Sequence, residues 1–318
     1  MKIHKTPLYF YIITTLLMFF NAIMLIFPKE ILKGAKNGLL LWYNNVVPSL
    51  LPFMIFTAML VKVGFPQRLG RVMAPLCKRL FNISGEGAFA MAIGVISGCP
   101  LGAKTACDLY NEGLLSRSEA ERLTMFCNNT GPLFVVGAVG EGMFGNGRVG
   151  MMFLLIQYIS AVIIGIISGI FSPENKISQR YSAQGAECNL CDILSEAVLS
   201  GVNGITLVGG FIVLFSVICA IFESCRLLDF AAFLLPVDRE CAKGLIAGIL
   251  EVTNGMGRLT SADKINYPVI CAVISWGGLS IHAQSASFIS GAGLSVGKYL
   301  VGKLIQGIMA GFICFLIY

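Results

Sequence analysis

Polar and helix-breaking residues interrupt the apolar segments of this sequence at four places, and these interruptions hold the residues that could do chemistry. The first two are SGCPLGAK, residues 97–104, and NNTGP, residues 128–132. The other two are EVTNGMGR, residues 251–258, and SIHAQSAS, residues 280–287. A polar side chain in an apolar membrane segment is costly unless it faces a cavity, a ligand or a polar partner. We therefore expect these four segments to form a binding site.

The candidate binding residues are those whose side chains or backbone such a site would use. Unwound backbone exposes carbonyl groups to cations, and the N-termini of half-helices present N–H groups to anions. Lys104 and Arg258 lie just beyond the two shorter breaks, and together they would suit a ligand with carboxylates on two sides. The candidates are Ser97, Gly98, Pro100, Gly102, Lys104, Asn128, Asn129, Thr130, Gly131, Pro132, Glu251, Thr253, Asn254, Arg258, His282, Gln284 and Ser285.

Several of these residues also have a purely structural interpretation. Lys104 and Arg258 can extend from helix ends to the membrane interface, and NNTGP can be a proline kink whose polar side chains satisfy freed carbonyls. Glu251 is either a ligand of a coupling ion, a proton carrier or a substrate acceptor, or it is the ion-pair partner of Arg258 or Lys104. His282 either carries a proton or is a hydrogen-bonded structural histidine. The sequence leaves these alternatives open.

The elements that must position these residues are membrane helices. Of the 318 residues, 56% are hydrophobic and 13% are charged, whereas soluble domains carry about 25% charged residues. The mean hydropathy is +0.80. Seven apolar stretches approach the roughly 20 residues that cross a bilayer. They are residues 8–27, 39–61, 123–140, 149–171, 193–222, 267–290 and 298–317. We expect an all-α, multi-pass integral membrane protein whose first stretch is a retained helix and not a signal peptide.

Three further segments complete the expected architecture. The shorter apolar segments 86–98 and 242–250 end in the breaks GCPLG, residues 98–102, and TNGMG, residues 253–257, and should re-enter the membrane as helical hairpins. Residues 67–80 are basic and amphipathic, so we expect a helix in the cytoplasmic interface. This places the N-terminus inside and the C-terminus outside.

The sequence repeats itself at an offset of 154 residues. Residues 92–104 align with 246–258, and residues 128–138 align with 282–292, without gaps. Each half contains an odd number of crossings, so the two halves should be inverted relative to each other. Inverted repeats with broken helices are typical of secondary transporters, whose substrate binds near the bilayer midplane. The expected division is an N-terminal helix over 1–36, repeats over 37–171 and 193–318, and a connecting loop over 172–192.

Other function classes lack their motifs. The only close cysteine pair, Cys188 and Cys191, is a single CxxC, so we expect neither a metal nor a cofactor. The basic residues are dispersed through short loops, which argues against a nucleic-acid partner. HExxH and GxxxxGK[ST] are absent from the sequence, so we expect neither an enzyme nor an ATP-driven pump.

The segments WYNNVVPSLLPF at 42–53, GCPLGAK, NNTGPLF and LEVTNG make the chain resemble the sporulation integral membrane protein family called YlbJ or SpoVV, over essentially its full length. That family belongs to the nucleoside-recognition, or Gate-domain, group, which is similar in plan to the concentrative nucleoside transporters. The resemblance implies movement of dipicolinic acid from mother cell toward forespore, across the outer forespore membrane of an endospore-forming bacterium. It also implies substrate contacts at 98–104, 128–132, 251–254 and 282–285. Ser97 stands where the second repeat has Glu251, so sodium coupling is not implied.

The leading interpretation is therefore a transporter of a small anionic solute in the lipid bilayer of the forespore or of the cell. The alternatives are a carrier of nucleosides or other small metabolites with the same fold, and a non-transporting sporulation membrane scaffold. Two buried cations disfavour a neutral nucleoside, because each cation would lack a counter-charge. A proton or a sodium ion as coupling ion, and a homo-oligomer, are left open.

Overall fold

The computed structural model describes residues 8–172, 189–235, 238–261 and 266–318. These residues form fifteen α-helices and two π-helices and contain no strand, which confirms the all-α fold. Cys188 and most of the expected connecting loop lie outside the described residues. The expected boundary between residues 36 and 37 falls inside the second helix, and the proposed division into repeats stays a prediction.

The helices follow one another in two series. The first series is α1 (Leu8–Ile26), α2 (Pro28–Leu41), π1 (Trp42–Val46), α3 (Val47–Lys62), α4 (Phe65–Phe81), α5 (Gly87–Ile96), α6 (Leu101–Asn111), α7 (Arg117–Cys127), π2 (Leu133–Met143) and α8 (Gly147–Ile170). The second series is α9 (Leu190–Ser224), α10 (Leu227–Phe233), α11 (Arg239–Leu250), α12 (Val252–Thr260), α13 (Tyr267–Trp276), α14 (Gly278–Gly291) and α15 (Val296–Ile317).

Four segments of the described chain are long and apolar enough to cross a membrane: α8, α9, α13 together with α14, and α15. Two bent pairs raise the count to six, namely α1 with the helix that follows it, bent by 102°, and α3 with α4, bent by 80°. Large apolar side chains such as Ile159, Ile170 and Ile308 are exposed on these helices, as a lipid-facing surface requires. The chain is a multi-pass integral membrane protein. The remaining predicted span, residues 123–140, does not form one long helix, because its residues are divided between α7 and π2.

Helix α4 confirms the amphipathic helix predicted over residues 67–80. Its basic side chains, Arg68, Arg71, Lys78 and Arg79, are all exposed, whereas Cys77 is buried against the rest of the protein. Its location at the cytoplasmic interface stays a prediction.

Two pairs of consecutive short helices lie where the hairpins were expected, α5 with α6 and α11 with α12, and the members of each pair contact each other. That these pairs re-enter the membrane stays a prediction. In the first pair, Gly94 and Gly102 both lie against the carbonyl oxygen of Cys127, where a Cβ atom would clash. In the second pair, Gly248 and Gly255 approach each other at the crossing. Glycine permits this close approach because it has no side chain.

The tip of the second hairpin differs from the prediction. Residues 253–257 were expected to break the helix, but they lie within α12, and the chain turns at Glu251. The carboxylate of Glu251 accepts hydrogen bonds from the first N–H groups of α12, so the helix begins directly after it.

The second broken span is also interrupted earlier than predicted. Gly277 and Gly278 adopt positive φ angles of 91° and 82°, between α13 and α14. Residues 282–285, which were expected to be unwound, are therefore helical within α14. The first break is confirmed, because residues 128–131 are not helical. The offset of 154 thus aligns the two hairpins but not the two breaks.

Packing between helices follows the same plan in both series. In the first, α5, α6 and α7 contact one another, and α7 and π2 contact α8; in the second, α11, α12 and α13 contact one another, and α13 and α14 contact α15. Between the series, α6 contacts α14 as α12 contacts π2, and α7 contacts α15 as α13 contacts α8. Two halves with a repeated sequence are expected to make such equivalent contacts with each other. The inversion of the repeats stays a prediction.

Candidate functional site

A connected set of buried polar residues joins the first broken span to α8, α14 and α15. Each member is at most 5% exposed. We call this set the polar core, and its members are Asn128, Asn129, Thr130, Gln157, His282, Ser285, Tyr299, Lys303 and Gln306. Buried polar groups are stable only when they are hydrogen-bonded. The core therefore specifies how the two series of helices fit together.

Asn128 is the point at which three parts of the protein meet. Helix α7 ends at Cys127, so Asn128 is the first residue of the break. Its side chain reaches α6, α14 and α15. Its Nδ2 donates hydrogen bonds to the hydroxyl oxygens of Ser285, over 2.9 Å, and Tyr299, over 3.0 Å. Its Oδ1 accepts a hydrogen bond of 3.3 Å from the N–H of Ala103 in the first turn of α6. The first hairpin, the break and the second series are thus held by one amide.

Side chains from other helices satisfy the carbonyl groups that the break exposes. The Nζ of Lys303 donates to the carbonyl oxygen of Asn128 over 2.9 Å, and the Nε2 of Gln157 donates to that of Thr130 over 2.8 Å. The hydroxyl of Thr130 in turn donates to the carbonyl oxygen of Ile274, near the end of α13. The break is therefore a fixed structure and not an open coil.

Lys303 is the only Lys, Arg, Asp or Glu residue of the polar core. Besides the carbonyl oxygen of Asn128, its Nζ contacts Oε1 of Gln306 at 2.5 Å. Among the described residues, no Asp or Glu forms an ion pair with it. Its positive charge is balanced by dipoles alone.

His282 lies on α14 and joins the polar core through Tyr299. Its Nδ1 lies 2.9 Å from the hydroxyl oxygen of Tyr299. That hydroxyl accepts a hydrogen bond from Asn128, so its own proton is available for His282. The His282 ring stacks edge-on against Trp276, with centroids 4.1 Å apart. Its Nε2 is buried and has no hydrogen-bond partner among the described residues.

The first hairpin tip packs backbone to backbone on the break. Gly98 has a φ angle of +85°, and a Cβ atom on it would lie 2.5 Å from the main-chain nitrogen of Gly131. Pro100 is the residue immediately before α6. The Oγ of Ser97 is buried and has no partner among the described residues. Of the predicted candidates, the tip and the segment 128–131 are therefore brought together.

Lys104 and Arg258 are far apart. The Nζ of Lys104 lies 2.7 Å from Asp108 and 3.3 Å from the hydroxyl of Ser200 on α9. Arg258 forms an ion pair of 2.6 Å with Glu223 at the other end of α9. About six helical turns separate Ser200 from Glu223, or roughly 35 Å at about 1.5 Å per residue. The structure thus contradicts the expectation that the two cations bind the ends of one small ligand.

This separation agrees with the predicted inversion of the repeats, because equivalent residues of inverted repeats lie toward opposite faces of the membrane. The hydrocarbon core is about 30 Å thick, which is close to the separation along α9.

Glu251 has a role that the sequence did not reveal. Its two carboxylate oxygens accept hydrogen bonds from the N–H groups of Thr253, over 3.0 Å, and Asn254, over 2.8 Å. The anion site at the N-terminus of α12 is thus occupied by the chain itself. The alternative of an ion pair between Glu251 and Arg258 or Lys104 is wrong, because each cation pairs with another carboxylate.

A cleft of about 450 Å³ opens between α2, α9 and the second hairpin. Four predicted candidates line it, namely Glu251, Thr253, Asn254 and Arg258. The polar and charged residues that complete the lining are Glu30, Lys33, Asn37, Ser216, Cys219, Glu223 and Ser224. The cleft thus holds four of the seventeen candidates and the polar core holds five others, whereas the remaining eight, which include Lys104, belong to neither. Gln284 contacts neither group through a hydrogen bond and donates to Ser280 within α14.

Sequence reasoning missed four members of the polar core: Gln157, Tyr299, Lys303 and Gln306. A signal was present, since Lys303 and Gln306 interrupt the apolar stretch 298–317 and Gln157 interrupts 149–171. The rule that selected the other candidates, a polar residue inside an apolar span, applies to these as well.

Comparison with known proteins agrees with this architecture. Residues 44–174, which include the first hairpin, the first broken span and α8, match the family described as Gate, nucleoside recognition. The sporulation integral membrane protein YlbJ of Bacillus subtilis (strain 168) is 29% identical over 337 aligned residues, which cover 96% of this chain and 82% of YlbJ. No solved structure matches the chain. The resemblance inferred from the motifs is thereby confirmed: the chain is similar to the sporulation integral membrane protein YlbJ over nearly its full length, and residues 44–174 are similar to the Gate family.

Proposed function

We propose that the chain is a membrane transporter of a small organic anion. The observation that carries this proposal is the unpaired charge of Lys303 in the polar core. A buried charge without a counter-charge is unfavourable in a membrane protein. An anion that enters the core would provide the missing negative charge, whereas a cation would be repelled.

The two hairpins supply elements that can move. The tip of the first hairpin packs on the first break at Gly131. The turn of the second hairpin packs on the second break, where a Cβ atom on Gly278 would lie 3.3 Å from the Cα atom of Glu251. These contacts involve few side chains. We propose that movement of the hairpin-bearing part against the remaining helices opens the polar core to one side of the membrane at a time.

The cleft is the proposed point of entry. Its volume of about 450 Å³ falls within the roughly 300–1,000 Å³ of small-molecule sites. Lys33 and Arg258 provide positive charge there, beside the carboxylates of Glu30, Glu223 and Glu251. Because Arg258 is bound by Glu223 through one terminal nitrogen, its remaining donors are available for a ligand carboxylate. The other candidates from the sequence are proposed as later contacts of the substrate.

Dipicolinic acid is the proposed substrate, moved from mother cell toward forespore across the outer forespore membrane. It is a planar dicarboxylate of a size that fits the cleft. YlbJ, to which this chain is similar, is a sporulation integral membrane protein, and we extend that context to this chain. A proton or sodium ion as coupling ion and a homo-oligomeric state belong to the same proposal as open alternatives.

One observation favours a second function, the transport of a nucleoside. Lys104 and Arg258 already have carboxylate partners, so these two cations no longer argue against a neutral solute. The Gate description names nucleoside recognition. The amide and hydroxyl groups of the polar core could equally hold a neutral polar ligand.

Ligand-dependent stabilisation of the purified protein separates these functions, because a ligand that binds only the folded state raises the melting temperature. The three ligands are dipicolinate, its neutral isostere pyridine-2,6-dicarboxamide, and uridine. We expect dipicolinate alone to stabilise the protein. Stabilisation by uridine alone would support the nucleoside carrier, and no stabilisation by any of them would support a non-transporting scaffold.

A further inference from the structure

The break in the first broken span exposes a carbonyl oxygen that a cation already holds. Broken helices in transporters often coordinate a coupling ion through such carbonyl groups. Here the bound cation is an ammonium group of the protein, since the Nζ of Lys303 lies 2.9 Å from the carbonyl oxygen of Asn128. The site is buried, because Lys303 is 3% exposed and Asn128 is 1% exposed.

We propose that Lys303 is a tethered cation that takes the place of a soluble coupling cation at this break, so that the site neither needs nor binds sodium. The part of this inference that concerns transport rests on the proposed function. The part that concerns the cation site does not, because it can be tested on the purified protein.

The surroundings of Lys303 are built to present oxygen atoms to it. The amide of Gln306 is fixed in orientation, because its Nε2 donates to Oδ1 of Asn129, over 2.7 Å, and to the carbonyl oxygen of Gln157, over 3.1 Å. Its Oε1 must then face Lys303, at 2.5 Å. A carbonyl and an amide oxygen are also the neutral ligands that sodium prefers, so an ammonium group and a metal cation compete for the same position.

Among the residues that the structure describes, no negative group near Lys303 would favour a second cation. The other ionisable groups that interact electrostatically with Lys303 are the thiols of Cys99 and Cys127 and the imidazole of His282. None of these is a carboxylate. With the ammonium group present, a sodium ion at the break would meet a like charge and no compensating acid.

The test uses Lys303→Ala, which removes the ammonium group and leaves space for a small cation. The melting temperature of the purified variant is measured in choline chloride, sodium chloride and methylammonium chloride at equal ionic strength. We expect a lower melting temperature than wild type in choline chloride, and a gain of several degrees with sodium or methylammonium. Wild type and the control Lys298→Ala, which removes an exposed lysine of the same helix, should not respond to the cation.

A melting temperature of Lys303→Ala that is the same in all three salts, or an equal response of Lys298→Ala, would overturn the inference. Wild type provides a second test that does not depend on the folding of the variant. Its melting temperature and any dipicolinate uptake should be equal in sodium chloride and choline chloride. A sodium-dependent increase in either would overturn the inference. Absence of uptake would contradict the proposed function alone, since the melting data still decide the cation site.

Discussion

The ammonium group of Lys303 donates a hydrogen bond to the carbonyl oxygen of Asn128 across 2.9 Å. This bond joins α15, the last helix of the second series, to the break in the first. The first broken span can move relative to α15 only if this hydrogen bond breaks. The two halves of the protein are therefore coupled through the polar core, and changes to the residues of the core should affect both stability and transport.

Replacement of Asn128 by alanine should destabilise the protein and stop transport. The variant removes the hydrogen-bond partner of the Ala103 N–H, the donor to the Ser285 hydroxyl, and one of the partners of the Tyr299 hydroxyl, which keeps His282. An unsatisfied buried polar group costs about 1–3 kcal/mol. The melting temperature should fall clearly below that of Asn111→Ala, which changes an exposed asparagine at the end of α6. Equal melting temperatures for the two variants would contradict the importance of this network.

The packing of the first hairpin tip can be tested with a matched pair of glycines. Gly98 and Gly113 both have positive φ angles, +85° and +73°, but only Gly98 is in close contact, because nothing lies within 4 Å of a Cβ atom on Gly113. The backbone strain of alanine, about 1–2 kcal/mol, is therefore common to both variants. Gly98→Ala adds a clash worth about 1–3 kcal/mol and should melt at the lower temperature. A Gly98→Ala protein as stable as Gly113→Ala would show that the tip is not packed on Gly131.

The capping role of Glu251 predicts a specific order of stability. Glu251→Ala should lower the free energy of unfolding by about 0.5–2 kcal/mol, as the loss of an N-cap does. Glu251→Ser should retain much of the stability, since serine is also a good N-cap residue. Thermal unfolding measures both, with the exposed Glu112→Ala as control. A serine variant that is stable but inactive in transport would show that the negative charge of Glu251 is also needed for transport. A serine variant as unstable as the alanine variant would show that capping is not the main role of Glu251.

The inversion of the repeats predicts opposite accessibility for the loops that follow the two hairpins. Glu112 and Ser261, both exposed, are replaced by cysteine one at a time in a protein whose eleven native cysteines have been replaced by serine. In intact cells a membrane-impermeant maleimide should label Ser261→Cys, and it should label Glu112→Cys only after permeabilisation. Labelling of both positions under the same condition would contradict the inversion.

The first break and the hairpins could be predicted because glycine, proline and consecutive polar residues change the backbone locally. The second break was misplaced because the polar residues 280–287 remain helical, with the hydroxyl of Ser287 bonded to the carbonyl of Ala283 one turn earlier. The actual signal was the pair Gly277 and Gly278.

The tertiary partners of the charged residues could not be predicted in the same way, unlike the pair of Lys104 with Asp108, which lies four residues further along the same helix. Lys104 contacts Ser200, and Arg258 contacts Glu223, only because α9 is long enough to reach both hairpins. Such contacts depend on tertiary packing, which the spacing of residues along the chain does not determine. For the same reason the sequence showed Lys303 as one charge in an apolar helix and gave no indication of its bond to the break.

The measurement that tests the account most directly is the initial rate of radiolabelled dipicolinate uptake into proteoliposomes that contain the purified wild-type protein. We predict saturable uptake that unlabelled dipicolinate abolishes and that pyridine-2,6-dicarboxamide and uridine do not affect. Arg258→Ala should reduce uptake severalfold, whereas Arg239→Ala, which removes an exposed arginine outside the cleft, should not. Uptake no faster than in protein-free liposomes, or uptake of uridine in place of dipicolinate, would contradict the account.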